Sequence, residues 1–147
     1  MSLLTDIIFV KALQSNTTLL GKLAAGDVYN TSIALPDQDL DNAPIPYVIV
    51  SFDGMVNDQS SKDTFEGETD TVQISVEIAA KNRKQLGELA TLVRQTIREY
   101  FSEVDEDSED ADLVPYDYQF SADRVQYDPL KPCHWQILRW QCDTKAE

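Results

Sequence analysis

Ten residues of strict alternation followed by a helical stripe constrain this chain more than anything else in it. From Thr71 to Ala80, Val72, Ile74, Val76 and Ile78 fall on one side of an extended chain, and Gln73, Ser75 and Glu77 fall on the other. After Lys81 and Asn82, the residues Leu86, Leu89, Ala90, Val93, Ile97, Tyr100 and Phe101 recur at i, i+3, i+4 spacing. The pattern predicts a half-buried strand and an amphipathic helix from about Arg83 to Phe101, capped by Asn82 and laid on the strand's apolar side. Each large side chain fully buried in such a contact contributes roughly 1.5–3 kcal/mol. No nucleophile–base pair, metal cluster or phosphate loop lies in this stretch.

The remaining elements group around that unit. Leu3, Leu4, Ile7, Ile8, Val10 and Leu13 predict a helix from Leu3 to about Leu13. Asn16-Thr17-Thr18 breaks it or starts a second short helix through Leu19, Leu20 and Leu23, weakened by Gly21 and Gly26. Val28-Tyr29 opens a short extended piece. The stretch from Asp37 to Pro46, acidic and bearing Pro44 and Pro46, reads as loop. Tyr47 to Phe52 is rich in β-formers and apolar on both faces, which suits a covered strand. Asp53 to Asp70 spans eighteen residues, too many for a tight turn, so the strands extend into an arm or the segment is mobile. Tyr116, Tyr118, Phe120 and Ala122 alternate with polar residues in a further strand. Asp128 to Pro132 is a bend, and Cys133 to Cys142 is the last strand. It carries Trp135 and Ile137 on one side and Leu138 and Trp140 on the other, as a central strand or one meeting another subunit would. The fold expected is α+β: a mainly antiparallel sheet of four to five strands, with an N-terminal helix and the long helix packed on one face. At 147 residues a single domain, 1–147, is expected, with 53–70 as arm or long loop and 103–112 as an acidic loop.

Charge narrows the function classes. The chain has 26 acidic and 12 basic residues, a formal net charge of −14. That opposes nucleic-acid binding and docking on anionic lipid, both of which need a basic footprint. It leaves simple solubility, or a surface that repels DNA or meets a basic partner. The N-terminal residues have an acid, Asp6, where a signal peptide carries positive charge, and no apolar run reaches membrane-spanning length, so the cytosol is the default compartment. Cys133 and Cys142 lie nine apart in one strand, on opposite faces, and are poor disulfide partners.

Catalytic templates fit badly. The run from Asp105 to Asp110 brushes a calcium loop, but its sixth position lacks glycine and its twelfth is Tyr116 rather than glutamate. Pro36-Asp37 resembles part of a metal-dependent nuclease site, but Glu77 to Lys81 has the wrong spacing, and the only acid-x-Lys triplet is Asp143-Thr144-Lys145. Cys133 beside His134 looks like a thiol with a base, yet adjacent strand residues point apart. No catalytic residue, cofactor or metal is expected. Candidate surfaces remain. Lys81, Arg83, Lys84, Arg94 and Arg98 stand against Glu88 alone between 81 and 98, and Glu103 to Asp112 holds seven acids in ten residues. Either these charges balance within one molecule, or the basic helix face of one subunit meets the acidic segment of the next. The candidate interface residues are Asp58, Lys62, Phe65 and Glu66 on the arm, Arg83, Lys84, Arg94 and Arg98 on the helix, and Asp105, Glu106, Asp107, Glu109 and Asp110 in the acidic segment.

The order of elements resembles the tail-completion, or tail-terminator, proteins of long-tailed bacteriophages and prophages. The resemblance covers roughly residues 3 to 101 and rests on the helical start from Leu4 to Leu23, the Val28-Tyr29 segment, Pro46-Tyr47-Val48-Ile49-Val50, and the unit from Val72 through the Leu86-to-Ile97 helix. It implies a non-enzymatic virion protein assembled in the bacterial host cytoplasm. It implies a homo-oligomeric ring, commonly of six copies, that caps the tail tube and joins it to a neck or head-closure protein. DNA would pass through without sequence recognition, and the arm would contact neighbours. Two other readings stay open: an acidic adaptor, in the manner of a DNA mimic, that binds a basic protein, and a hydrolase built on scattered carboxylates.

Overall fold

The alternating segment is the middle of the sheet. In the computed structural model, which describes residues 2–31, 43–58 and 69–145, strand β3 (Thr69–Ala80) pairs antiparallel with β2 (Tyr47–Asp58) on one side and with β6 (Cys133–Lys145) on the other. A short strand β1 (Tyr29–Asn30) lies parallel to the far side of β2. On β6's outer edge, β4 (Asp117–Ala122) and β5 (Gln126–Asp128) pair one after the other. The sheet order is therefore β1-β2-β3-β6-β4, with β5 beside β6. It has six strands rather than the four to five expected, and its one parallel pair is β1 with β2. The sequence underestimated the count because β5 is three residues long, too short to carry a period, whereas β1 lies at the Val28-Tyr29 extended piece.

One face of this sheet is covered by helices. Val72, Ile74, Val76 and Ile78 are fully buried, and opposite them lie Leu86, Leu89, Val93 and Ile97 of α3 (Arg83–Glu103). Asn82 caps α3 as expected: its Oδ1 accepts from the Gln85 amide at 2.8 Å. The N-terminal helix α1 (Thr5–Gln14) buries Ile8, Phe9, Ala12 and Leu13. It begins later than the pattern predicted. Ser2–Leu4 form a 3₁₀ turn, and Leu3 and Leu4 are solvent-exposed rather than part of the stripe. A second short helix α2 (Thr17–Lys22) follows, capped by Asn16, whose Oδ1 accepts from the Leu19 amide. Phe9 sits edge-on to both Phe101 and Trp140, and Trp140 meets Phe120 at 4.9 Å between ring centroids. This aromatic chain joins α1, α3, β6 and β4.

The strands around the 53–70 segment run further than their sequences suggest. β2 continues to Asp58 and β3 begins at Thr69, paired through Asp58 opposite Thr69. The register shifts between Phe52 and Gly54, where Gly54 has φ 153°, a conformation open to glycine. The bulge reverses the side-chain phase of β2, so the second half of the strand does not continue the alternation of the first. Lys62, Phe65 and Glu66 lie outside the described residues.

Candidate assembly surfaces

Position along α3 decides which basic residues act together. Arg83, Arg94 and Arg98 recur about three turns and then one turn apart, so they form one row along a flank of the helix, beside its buried stripe. All three are exposed. The row spans about 22 Å at 1.5 Å per residue. It borders the β4 edge, because the Arg94 guanidinium carbon lies 4.2 Å from the centre of the Phe120 ring. The opposite flank of α3 faces α1 and α2: Asn16 Nδ2 donates to Thr96 Oγ1 at 2.8 Å. Lys84 does not join the arginine row. It lines an open groove of about 610 Å³ with Lys22 and Glu88, toward α2.

Among the described residues, Arg83, Lys84, Arg94 and Arg98 make no ion pair. Their placement opposes the helix's own field. The first turn of α3 has no acid and starts with Arg83 and Lys84, while the last turn has no base and ends at Glu103. Positive charge at a helix N-terminus and negative charge at its C-terminus each oppose the macrodipole, by typically 0.3–1 kcal/mol at low ionic strength before solvent screening. The isolated helix is not what this charge pattern favours.

The acidic segment leaves α3 on the other flank. Its backbone is folded into turns: the Ser108 amide donates to the Asp105 carbonyl at 2.9 Å, and the Asp107 amide to Asp105 Oδ1 at 3.1 Å. A short 3₁₀ helix, Ala111–Leu113, closes it, and Leu113 and Val114 pack on the core. Asp110 is salt-bridged to Lys11 of α1 at 2.7 Å, and this carboxylate's hydrogen bond raises the Lys11 pKa. Charge balance within one molecule thus holds at Asp110. Asp105, Glu106, Asp107 and Glu109 are exposed, with no cation paired to them among the described residues. The acidic segment is an exposed turn from Asp105 to Glu109, anchored at Asp110.

The sheet face away from the helices is polar at its arm end. Gln73, Gln141 and Gln119 stand directly opposite one another across β3, β6 and β4, followed by the row Ser75, Arg139 and Ser121. Arg139 is held by Asp123 through three hydrogen bonds of 2.9–3.1 Å, and its guanidinium holds the Asp123 carboxyl below the usual carboxylate range. Further along, Trp135 and Ile137 are half-buried. Tyr47 donates to Glu77 at 2.8 Å, and burial pushes its phenol pKa up.

A buried polar knot at the base of the arm was invisible in the sequence. Ser2, Asn57, Asp70 and Thr144 come together there from four separate segments. Only tertiary contact unites them, so no local signal could have found it. Cys133 and Cys142 sit at opposite ends of β6, about 30 Å apart at strand spacing. Burial pushes both thiols up, Cys142 to about 12. His134 packs beside Tyr127, with ring centroids 5.1 Å apart. Among the described residues no group of three or more His, Cys, Asp or Glu is arranged to hold a metal ion, and no helix is long and apolar enough to cross a membrane.

No protein-family model and no curated protein sequence matches the chain. Among solved structures, the fold is similar to a chain in the virion of a native gene transfer agent particle, with a TM-score of 0.53. The match covers 96% of this chain and 94% of that one, at 12% sequence identity. At that identity the likeness is one of fold. It runs through the C-terminal strands as well as the segments on which the sequence resemblance rests.

Proposed function

We propose that this protein is a structural subunit of a phage-type virion, and specifically one that completes the tail and joins it to the head as a member of a ring, without catalysis. The observation that carries the reading is the end-to-end fold likeness to a chain of a gene transfer agent virion. Small unrelated α+β domains can share a strand and helix. Agreement over 96% of one chain and 94% of the other, without a missing or added domain, is more restrictive. The tail-completion role rests on the order of elements in residues 3 to 101. The net charge of −14 supports it physically, since a negative subunit does not trap the phosphate backbone of passing DNA.

The test is electron microscopy of the purified protein, alone and mixed with tail-tube and neck proteins of a phage-type particle. Rings, or protein seated at the end of a tube, are the expected result. A monomer that binds neither a tube nor a neck protein would overturn the proposal.

A further inference from the structure

We infer that copies of this chain join head to tail, with the arginine row of α3 on one copy, Arg83, Arg94 and Arg98, receiving the acidic turn of the next, chiefly Glu106, Asp107 and Glu109. The inference rests on the ring-forming part of the reading above and names the contact that would build the ring.

Three observations lead to it. The arginine row and the acidic turn are both exposed, and among the described residues the row makes no ion pair, while in the turn Asp110 pairs with Lys11 and Glu109 feels the same cation. They also lie on opposite flanks of α3. The row borders Phe120 on β4, the turn crosses to Lys11 on α1, and among the described residues no ion pair joins the two. Finally, Arg83 in the first turn of α3 and Glu103 in its last run against the dipole of their own helix. An arrangement unfavourable in the isolated subunit becomes favourable if a neighbour supplies the missing counter-charges.

Symmetry then selects the geometry. With a net charge of −14, two copies repel unless their contact joins unlike patches. An isologous contact would pair row with turn and turn with row about one two-fold axis, which needs both patches on one face of the subunit; here the row borders Phe120 and the turn lies at Lys11, on different flanks of α3. A heterologous contact sets the row against the turn and leaves one free patch of each sign at the ends, which is the condition for a closed ring or a filament. Asp105 and Asp110 hold the turn in shape, through the Ser108 and Asp107 amides and through Lys11. Glu106, Asp107 and Glu109 project from it.

The experiment uses two variants of the full chain. One carries Arg83→Glu and Arg98→Glu, leaving Arg94 on Phe120. The other carries Glu106→Lys, Asp107→Lys and Glu109→Lys, leaving Asp105 and Asp110 in place. Circular dichroism checks that each folds. Sedimentation velocity then reads self-association at low and high salt. The wild type is expected to associate and to weaken by about tenfold or more as salt screens the contact. Each variant alone should associate at least about tenfold more weakly than the wild type, and an equimolar mixture should recover, since each variant's altered patch complements the other's. Variants that associate like the wild type, a mixture that does not recover, or a wild type that stays monomeric at low salt would each overturn the inference. Capture of tail-tube or neck protein separates the two claims. Variants that ring normally on a tube refute this contact and leave the virion reading standing. Recovery in the mixture without any capture supports the contact and refutes that reading.

Discussion

The hydroxyl of Ser2 donates a hydrogen bond of 2.5 Å to Asp70 Oδ2, across 68 residues of sequence. Asn57 Nδ2 donates to the other oxygen of the same carboxylate at 2.7 Å, and the Thr144 hydroxyl donates to Ser2 Oγ at 2.7 Å. The segment before α1, both strands of the arm and the end of β6 are thus tied to one buried side chain. Asp70→Ala would leave the Ser2 and Asn57 donors facing an absent acceptor, at a cost of about 1–3 kcal/mol. Urea unfolding reads the loss, and hydrogen exchange should accelerate first at the paired ends of β2 and β3. Unchanged stability would mean that water replaces the carboxylate without penalty.

Trp140 stands at the centre of the aromatic chain, 5.4 Å from Phe9 and 4.9 Å from Phe120 between ring centroids, and is 1% exposed. Trp140→Ala should destabilise the fold by about 3–5 kcal/mol, through lost burial and the cavity left behind. Trp140→Phe, which keeps an edge for Phe9, should cost clearly less. Denaturant midpoints of the two variants supply the comparison, provided the slopes agree.

Helix α3 owes its start to Asn82. Asn82→Ala removes the acceptor for the Gln85 amide and should cost about 1 kcal/mol, while Asn82→Asp should keep most of the cap. An equal loss in both variants, measured by thermal or urea unfolding, would show that the cap contributes through something other than this hydrogen bond.

The buried thiols make stability depend on pH at the alkaline end. Burial raises the Cys142 pKa from about 9.0 to about 12. In the unfolded chain the thiol ionises first, so above pH 9 the unfolded state binds fewer protons than the native one and folding stability falls as pH rises. The loss should begin near 9 and continue toward 12, and Cys142→Ala should remove that part of the slope. At pH 8 the native protein should react slowly with iodoacetamide at Cys142, and fast labelling without denaturant would contradict the burial.

The strand–helix unit was legible because its periods are long and clean. Val72, Ile74, Val76 and Ile78 alternate without exception, Leu86 to Ile97 keep the helical repeat, and the large members of both stripes are buried except Tyr100 and Phe101, which are half-buried. The first helix was legible in kind but not in detail. Leu3 and Leu4 fit the spacing, yet they belong to a 3₁₀ turn and face solvent, while Phe9 and Ala12 carry the burial. The far half of β2 was legible only as one of two alternatives, an arm of extended strands or a mobile segment. Its bulge at Gly54 reverses the phase, and the residues from Asp53 to Asp58 show no alternation to read. Among the proposed surface residues, Arg83, Arg94 and Arg98 came out as one row, whereas Lys84 fell toward α2 and Asp110 already had a partner in Lys11.

Local periodicity determined which residues turn inward and what kind of element each stretch forms, because burying an apolar stripe is favourable whatever lies opposite it. It determined the acidic character of the chain and the concentration of positive charge on one helix. Only the tertiary structure decided that β6, the last strand, inserts between β3 and β4, that α1 crosses to the acidic turn, and that four distant polar residues share one buried knot. A period records the face a side chain occupies. Which element meets that face depends on contacts between residues far apart in sequence, and those are set by how whole faces match in shape and charge once the chain has closed on itself.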